Sequence, residues 1–183
     1  MSQMYIFLAD GFEEIEALTV VDMVRRVGLD ITTVSIHDTT TVTSSHNVTV
    51  KADQTIAETD FSKADMLILP GGMPGTIHLS ENETLCEQLK AFNEEGKMVA
   101  AICAAPSVLG SLGILKGKKA VCHPGFEEKL IGAEVLFEPA VTDDNVITGR
   151  GMGTAIEFAS EIVRHYLGQE KVDELSKAII WNH

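Results

Sequence analysis

Short apolar runs alternate along the chain with longer segments whose apolar residues recur at helical spacing. The run at 5–8 is typical of a buried strand, and the next segment places Ala17, Val20 and Val24 on one face of a helix over 13–27 that Gly28 ends. The same criteria predict further strands over 31–36, 66–69, 97–102, 120–122, 134–137 and 145–147. Further helices are predicted over 83–95, over 104–112, from Thr154 to just before Gly168, and over 170–179.

The alternation of strands and helices predicts an α/β fold. Parallel neighbours need a crossover connection, so this order favours a mainly parallel sheet with helices on both faces. A small hairpin is predicted over 42–50, with Ser44, Ser45 and His46 at its bend. Capping boxes are predicted for Thr84 with Glu87 and for Thr154 with Glu157. We find no internal repeat, low-complexity tract or linker, and therefore expect one domain over 1–183.

Composition and charge narrow the class of protein. The chain has 183 residues, 45% of them apolar, and 27 acidic against 14 basic side chains leave a net charge of −13. This balance disfavours binding to nucleic acid or to an anionic membrane surface through electrostatics alone. No apolar run approaches the roughly 20 residues that cross a bilayer, and the first residues lack the basic region of a signal peptide. Three cysteines without a C-x-x-C pair fit a reducing compartment, so a cytoplasmic protein is expected.

The junction around Cys103 is the strongest chemical signal. A strand runs into a helix start there, and a sharp turn of this kind exposes a nucleophile above the sheet. A thiol near a helix N-terminus is also favoured as thiolate. The alternative is a buried cysteine that acts only as a small apolar residue. Cys86, inside a helix, and Cys122, on a strand, are expected to be structural.

Three further groups follow predicted strands or begin a helix. Gly71 and Gly72 would let the backbone approach a ligand and point N–H groups at an oxyanion, although Pro-Gly-Gly is also a common turn. Glu16 lies nearer the apolar side of its helix than Glu13 and Glu14, whose carboxylates the helix dipole explains, and a buried Glu would have a raised pKa. His123 could act as a base or be a structural histidine.

The glycine-rich segment 149–154 superficially resembles a dinucleotide-binding loop, but its glycine spacing and its place at the last strand do not fit. We therefore expect no cofactor and no metal.

Four segments together, 10–17, 69–72, 101–106 and 151–158, resemble the ThiJ/PfpI superfamily in its parkinsonism-associated deglycase, YajL-like branch. The resemblance covers essentially the whole chain. It implies a flavodoxin-like sandwich, a homodimer and an acidic Cys103 thiol hydrogen-bonded to protonated Glu16. By position, it also implies that the amides of Gly72 and Ala104 hold an oxyanion and that His123 is the nearby histidine.

The chain departs from this pattern at two informative positions. The protease-like branch has a histidine directly after the cysteine, whereas this chain has Ala104, which disfavours a peptidase or other hydrolase. Many relatives have an arginine on the hairpin that reaches the partner subunit's cysteine pocket. Here His46 takes that place, so the contact would depend on pH.

The resemblance implies two main functions. One is a cofactor-independent glyoxalase or deglycase that acts on dicarbonyls such as methylglyoxal and glyoxal, or on early glycation adducts of proteins, through a Cys103 hemithioacetal. The other is a redox-responsive chaperone or oxidative-stress sensor that works by oxidation of Cys103 without turnover.

Overall fold

The computed structural model describes residues 3–181 and contains a central seven-stranded sheet. Its strands are β1 (Gln3–Leu8), β2 (Asp30–Ser35), β5 (Gln54–Thr55), β6 (Met66–Leu69), β7 (Met98–Ile102), β10 (Ala140–Asp143) and β11 (Val146–Gly149). Their spatial order is β10-β11-β7-β6-β1-β2-β5. All neighbours run parallel except β10 and β11, which are antiparallel. The predicted mainly parallel sheet is confirmed.

Helices cover both faces of this sheet. The helices are α1 (Glu14–Arg26), α2 (Gly75–Glu81), α3 (Glu83–Glu94), α4 (Pro106–Ser111) and α5 (Ala155–Ala178). Side chains alternate between the faces along β1. Met4, Ile6 and Leu8 join one core cluster with α1 and α5, whereas Tyr5 and Phe7 join the other with α3 and α4. Because both faces are buried, the central strands read as continuous apolar runs.

Several predicted boundaries and caps need correction. The side chain of Asn82, not that of Thr84, caps α3 by accepting a hydrogen bond from Leu85 N at 2.9 Å. Thr154 does not cap α5, because its hydroxyl donates back to the Gly151 carbonyl at 3.0 Å. Gly168 has a φ of 78° and a ψ of 175° and interrupts α5, so the prediction of two helical stretches on either side of it is confirmed.

Three short elements escaped the sequence analysis: α2, β5 and the antiparallel edge strand β10. None has a long periodic apolar pattern of its own. The strand predicted over 120–122 is shorter than expected and lies outside the central sheet: β8 (Lys119–Ala120) pairs only with β9 (Glu134–Val135). His123 nevertheless reaches the central sheet, because its N–H donates to the Cys103 carbonyl at 2.8 Å.

The predicted hairpin is present and lies against the start of α1. It consists of β3 (Thr41–Thr43) and β4 (Thr49–Lys51), which pair antiparallel. The Ser45 N–H donates to the Phe12 carbonyl at 2.9 Å, and the Gly11 N–H donates to the Thr43 carbonyl at 2.8 Å. These bonds place the bend of the hairpin beside the loop that follows β1.

Within the described residues, none of the helices combines the length and the apolar character needed to cross a membrane.

The packing of α5 against the sheet gives a stability prediction. Phe158 is fully buried, and its side chain lies so close to Gly149 on β11 that a Cβ at Gly149 would be 2.9 Å from it. We expect Phe158→Ala to lower the free energy of unfolding by about 3–5 kcal/mol in urea denaturation, through lost burial and a cavity. Phe137, which is 66% exposed, is the control, and Phe137→Ala should cost no more than about 1 kcal/mol, since it removes an exposed ring that contacts Arg150. Equal losses in the two variants would contradict this account of the core.

Candidate active site

Cys103 occupies a sharp turn between strand and helix. It directly follows β7 and has a φ of 66°, in the left-handed region that residues other than glycine rarely adopt. Two backbone hydrogen bonds hold it there: its N–H donates to the Gly149 carbonyl at 2.9 Å, and its carbonyl accepts from His123 N. The turn is therefore clamped between the neighbouring strand β11 and the segment after β8, and the predicted elbow is present.

Glu16 lies in the first turn of α1 and is fully buried. One carboxyl oxygen, Oε2, accepts a hydrogen bond from Gly71 N at 2.9 Å. The other, Oε1, is buried, and no nitrogen or oxygen donor within residues 3–181 reaches it. An unpartnered buried carboxylate oxygen is costly, so this environment favours the protonated acid. Burial accordingly raises the pKa of Glu16 from its ordinary value of 4.5 to about 7.

Glycine is required where the backbone passes between Glu16 and Cys103. A Cβ on Gly71 would lie 2.6 Å from the Cys103 Cβ and 2.7 Å from Glu16 Oε2. A Cβ on Gly72 would meet the backbone of Gly11 and Glu13 at 2.6 and 2.4 Å, and the φ of Gly72 is 92°. The two glycines therefore allow three chain segments to meet, which a generic turn would not require.

The backbone amides of Gly72 and Ala104 act on the Cys103 thiol. The amides of Gly72 and Ala104 both hydrogen-bond to the Cys103 thiol, and both lower its pKa. Donors placed in this way can also stabilise an oxyanion that forms on a substrate bonded to the sulfur.

The expected acidity of the thiol needs correction. Burial, followed by the negative charge of the Glu16 carboxylate, raises the pKa of Cys103 to about 12. The helix offers little compensation, because α4 has only six residues and begins at Pro106, beyond the turn. Protonation of Glu16 removes the second of these effects, so the Cys103 thiolate forms more readily when Glu16 holds a proton. The two groups are electrostatically coupled, and the thiol is not acidic by itself.

His123 lies at the edge of the site. It is exposed, its Nδ1 lies 3.0 Å from the Pro124 carbonyl, and its ring packs edge-on against Phe126. A cavity of about 440 Å³ connects it with Cys103 and Glu16. Through Nε2, His123 could exchange a proton with a substrate in this cavity.

The sequence analysis missed two other charged residues that line this cavity, Glu13 and Arg150. It explained Glu13 by the helix dipole and considered Arg150 only within a rejected nucleotide loop. Arg150 directly follows β11, which pairs with β7, the strand that carries the elbow. Knowledge of strand order would have placed Arg150 at the site, and strand order is not readable from local sequence.

His46 lies near its own chain's α1 rather than at Cys103. Its Nδ1 is 3.2 Å from Glu14 Oε1 and 3.7 Å from Glu13 Oε1, and the hydrogen bond with Glu14 raises the pKa of His46. Glu13, Glu14 and His46 are also the one group in the described part of the chain whose ligand atoms could share a metal ion, all lying within 4.8 Å of one another. These atoms already contact each other, and the His46 side chain is 66% exposed, so we assign no ion to them.

The other two cysteines lie outside the cavity. Burial raises the pKa of Cys86, whose thiol donates to the Ser80 carbonyl at 3.4 Å. Burial also raises the pKa of Cys122 to about 11. Of the three, Cys103 alone lines the cavity together with a buried carboxyl, that of Glu16.

Fold and site together define an α/β protein with a cysteine at a strand-to-helix elbow and a buried glutamic acid beside it. The comparison with known families agrees, since residues 2–165 match the DJ-1/PfpI family. The chain belongs to this family.

Individual relatives extend the match over nearly the whole chain. The chain is 37% identical over 175 residues to the Arabidopsis thaliana protein DJ-1 homolog B, covering 94% of this chain but only 40% of that longer protein. It is 32% identical over 180 residues to a Caenorhabditis elegans protein named glutathione-independent glyoxalase DJR-1.2, covering 97% and 95% of the two chains. The solved structure of oxidized Toxoplasma gondii DJ-1 superposes with a TM-score of 0.95 at 31% identity and full coverage of both chains.

The raised pKa of Glu16 makes stability depend on pH in a defined direction. Between pH 4.5 and about pH 7, Glu16 holds a proton in the folded protein that it has released in the unfolded chain. This contribution is therefore fully present below pH 4.5 and is lost as pH rises through about 7. Across that range we expect the parent to lose about 3 kcal/mol of unfolding free energy relative to Glu16→Gln. Urea denaturation of both proteins across this pH range measures the difference, and a difference independent of pH would contradict the buried-acid assignment.

Proposed function

We propose that the protein is a cofactor-independent, cysteine-dependent glyoxalase that acts on small dicarbonyls such as methylglyoxal and glyoxal. The observation that carries the proposal is the meeting of Cys103 and protonatable Glu16 at one cavity, with the amides of Gly72 and Ala104 beside the thiol. The family membership and the glyoxalase name of the C. elegans relative support it. The same chemistry would extend to early glycation adducts of proteins, which are masked dicarbonyls.

The proposed reaction begins with transfer of the Cys103 proton to the Glu16 carboxylate and attack of the sulfur on the aldehyde carbon. Glu16 returns that proton to the aldehyde oxygen and is then a carboxylate again. The resulting hemithioacetal has an oxygen that the Gly72 and Ala104 amides stabilise. Glu16 then moves a proton from the former aldehyde carbon to the neighbouring carbonyl carbon through an enediol, which leaves a thioester on Cys103. Water hydrolyses the thioester, so methylglyoxal and one water give lactic acid. No external oxidant or reductant is needed, because one carbon is oxidised and its neighbour is reduced.

Glu16 is better placed than His123 for the proton transfers. Its carboxyl is buried beside the thiol, and a pKa near 7 suits a group that both accepts and donates protons at neutral pH. The exposed His123 has one ring nitrogen directed at the Pro124 carbonyl. Ala104 stands where a protease-like site would have its histidine, so peptidase or other hydrolase activity is the weakest alternative.

Redox sensing is the second candidate function, and the same amides favour it. Oxidation of the Cys103 thiolate by two molecules of hydrogen peroxide would give a sulfinate and two waters. The N–H groups of Gly72 and Ala104 and a protonated Glu16 could donate to the sulfinate oxygens. A chaperone or stress-sensor role would use this oxidation without turnover of a substrate.

Kinetics with methylglyoxal separate these functions. We expect Cys103→Ser to abolish lactate formation, because its hydroxyl is a much weaker nucleophile. Glu16→Gln should lower kcat by about 10²–10⁴, since the amide keeps a donor but cannot carry the proton. Cys86→Ser is the matched control and should retain the parental rate.

Two outcomes would contradict this mechanism. Folded Glu16→Gln with parental turnover would leave His123 as the remaining base. A parent that forms no lactate from any dicarbonyl, yet forms Cys103 sulfinate with peroxide, would favour the sensor.

We further propose that the protein is a homodimer joined through α1 and the hairpin. Both present exposed apolar side chains: Ile15 is 47%, Leu18 38% and Val48 44% exposed. Ile15 and Leu18 line a groove of about 640 Å³ with Ile180, which is 82% exposed. Such an apolar surface is typical of an interface. His46 lies on the same hairpin, where it could contact the partner subunit in a pH-dependent way.

A cytoplasmic location, expected from the sequence, suits three free cysteines.

Sedimentation velocity at micromolar concentration tests the dimer. We expect a species of twice the 19.8 kDa of one chain, and we expect Leu18→Glu to shift it toward the single-chain mass by burying a charge at the interface. Ile131, which is 61% exposed but lies outside this groove, provides the control substitution Ile131→Glu. A parent that sediments only at 19.8 kDa would show that these surfaces do not pair.

A further inference from the structure

Arg150 brings a permanent positive charge to the cavity that contains Cys103. It is half-buried just beyond β11, and it is the only arginine or lysine among the described residues that line this cavity. Its guanidinium carbon lies 5.5 Å from the centre of the Phe137 ring, and its Nη1 lies 3.4 Å from the Phe137 carbonyl. Within residues 3–181 these are the side-chain hydrogen bond and the cation–π contact of Arg150, and neither involves a carboxylate.

The absence of a carboxylate partner is unusual in this chain. The other three arginines each pair with an acid: Arg25 with Asp53 at 2.8 Å, Arg26 with Asp22 at 2.5 Å, and Arg164 with Glu161. Arg150 alone has no carboxylate within salt-bridge distance in the described part of the chain, although the chain has 27 acidic residues. Most of its guanidinium donors are thus free to bind a ligand anion, which a guanidinium can do with two parallel hydrogen bonds.

The acidic residues of the cavity do not neutralise Arg150. Glu16 is turned toward Gly71 and Cys103 and is favoured in its neutral form. Glu13 faces the hairpin, with Oε2 accepting from the Ser45 hydroxyl at 3.3 Å and Oε1 lying 3.7 Å from His46 Nδ1. An anionic substrate would meet the charge of Glu13 on one side, and Arg150 supplies the charge that offsets it.

We propose that Arg150 is a specificity-determining residue that selects reactive carbonyl compounds bearing a carboxylate or phosphate group over neutral ones. The inference rests on the proposed function for its substrate class, namely α-oxoaldehydes that carry an anionic group at the far end from the aldehyde. Cys103 attacks the aldehyde while Arg150 holds the anion. The reaction adds one water to R–CO–CHO and gives R–CH(OH)–COOH, and the anionic group is unchanged.

The first experiment does not depend on turnover. Iodoacetate and iodoacetamide both alkylate a thiolate with loss of iodide, but only iodoacetate is an anion. The quantity compared is the rate of alkylation of Cys103 by iodoacetate divided by its rate with iodoacetamide. We expect Arg150→Gln to lower this ratio about tenfold, because a charge-assisted contact with iodoacetate is lost, while the rate with iodoacetamide changes little. Mass spectrometry resolves the cysteines, and the ratio at Cys86 should not change. Arg164→Gln makes the same change in net charge outside the cavity and should leave the Cys103 ratio at the parental value.

The second experiment compares substrates. 4,5-Dioxopentanoate and neutral 2-oxopentanal share a five-carbon skeleton, and hydroxypyruvaldehyde phosphate supplies the phosphate arm. We expect Arg150→Gln to lower kcat/KM about tenfold for whichever anion the site accepts and to leave 2-oxopentanal within about twofold. Arg150→Lys, which keeps the charge but not the planar fork, should give an intermediate value. The anionic substrate whose kcat/KM falls more identifies carboxylate or phosphate as the preferred group.

The outcomes separate the two proposals. A Cys103 alkylation ratio that Arg150→Gln leaves within twofold of the parent overturns the role of Arg150, whatever the turnover. A changed alkylation ratio with no turnover of any dicarbonyl supports the anion contact and overturns the glyoxalase instead. Equal losses for the neutral and anionic substrates would show that Arg150 supports the structure of the site and does not determine its specificity.

Discussion

The site depends on a buried carboxyl placed beside a half-buried thiol. Glu16 is fully buried and has one satisfied oxygen, which accepts from Gly71, and one unsatisfied oxygen. Burial disfavours a negative charge on either group. The charge of an ionised Glu16 raises the pKa of Cys103 further, whereas the hydrogen bond with the Cys103 thiol lowers the pKa of Glu16. The chemistry of Cys103 is therefore that of a pair, and a substitution at either position changes both.

The close packing of three backbone segments holds this pair in place. The start of α1 brings Glu16, the turn after β6 brings Gly71 and Gly72, and the turn after β7 brings Cys103. The approach is so close that a single added Cβ at either glycine would overlap its neighbours. The strained φ of Cys103 is sustained because β7 lies in the middle of a sheet whose two faces are both buried. A rigid core thus keeps the strained backbone of Cys103 in place at the carboxyl end of β7.

The chain as a whole is strongly acidic, whereas the cavity at Cys103 contains a positive charge, that of Arg150. A net charge of −13 disfavours anionic partners over most of the surface, and three of the four arginines are paired with acids. Arg150 is the exception, and it lines the same cavity as Cys103. Overall charge therefore disfavours anionic macromolecules as partners, whereas a single side chain without a carboxylate partner can decide which small molecule is bound.

The sequence by itself determined the order of the main strands and helices along the chain, the elbow at Cys103, the glycine pair and the family. These features are local: apolar periodicity, a reactive residue at a strand-to-helix junction, and short motifs. Only the tertiary structure decided how the thiol and the acid affect each other, because burial of Cys103 and the charge of Glu16 outweigh the short helix α4. It also decided that His46 faces Glu14 and that Arg150 joins the site, since both depend on which segments are neighbours in space. Electrostatic interactions act through distance and burial, and neither can be read from the spacing of residues along the chain.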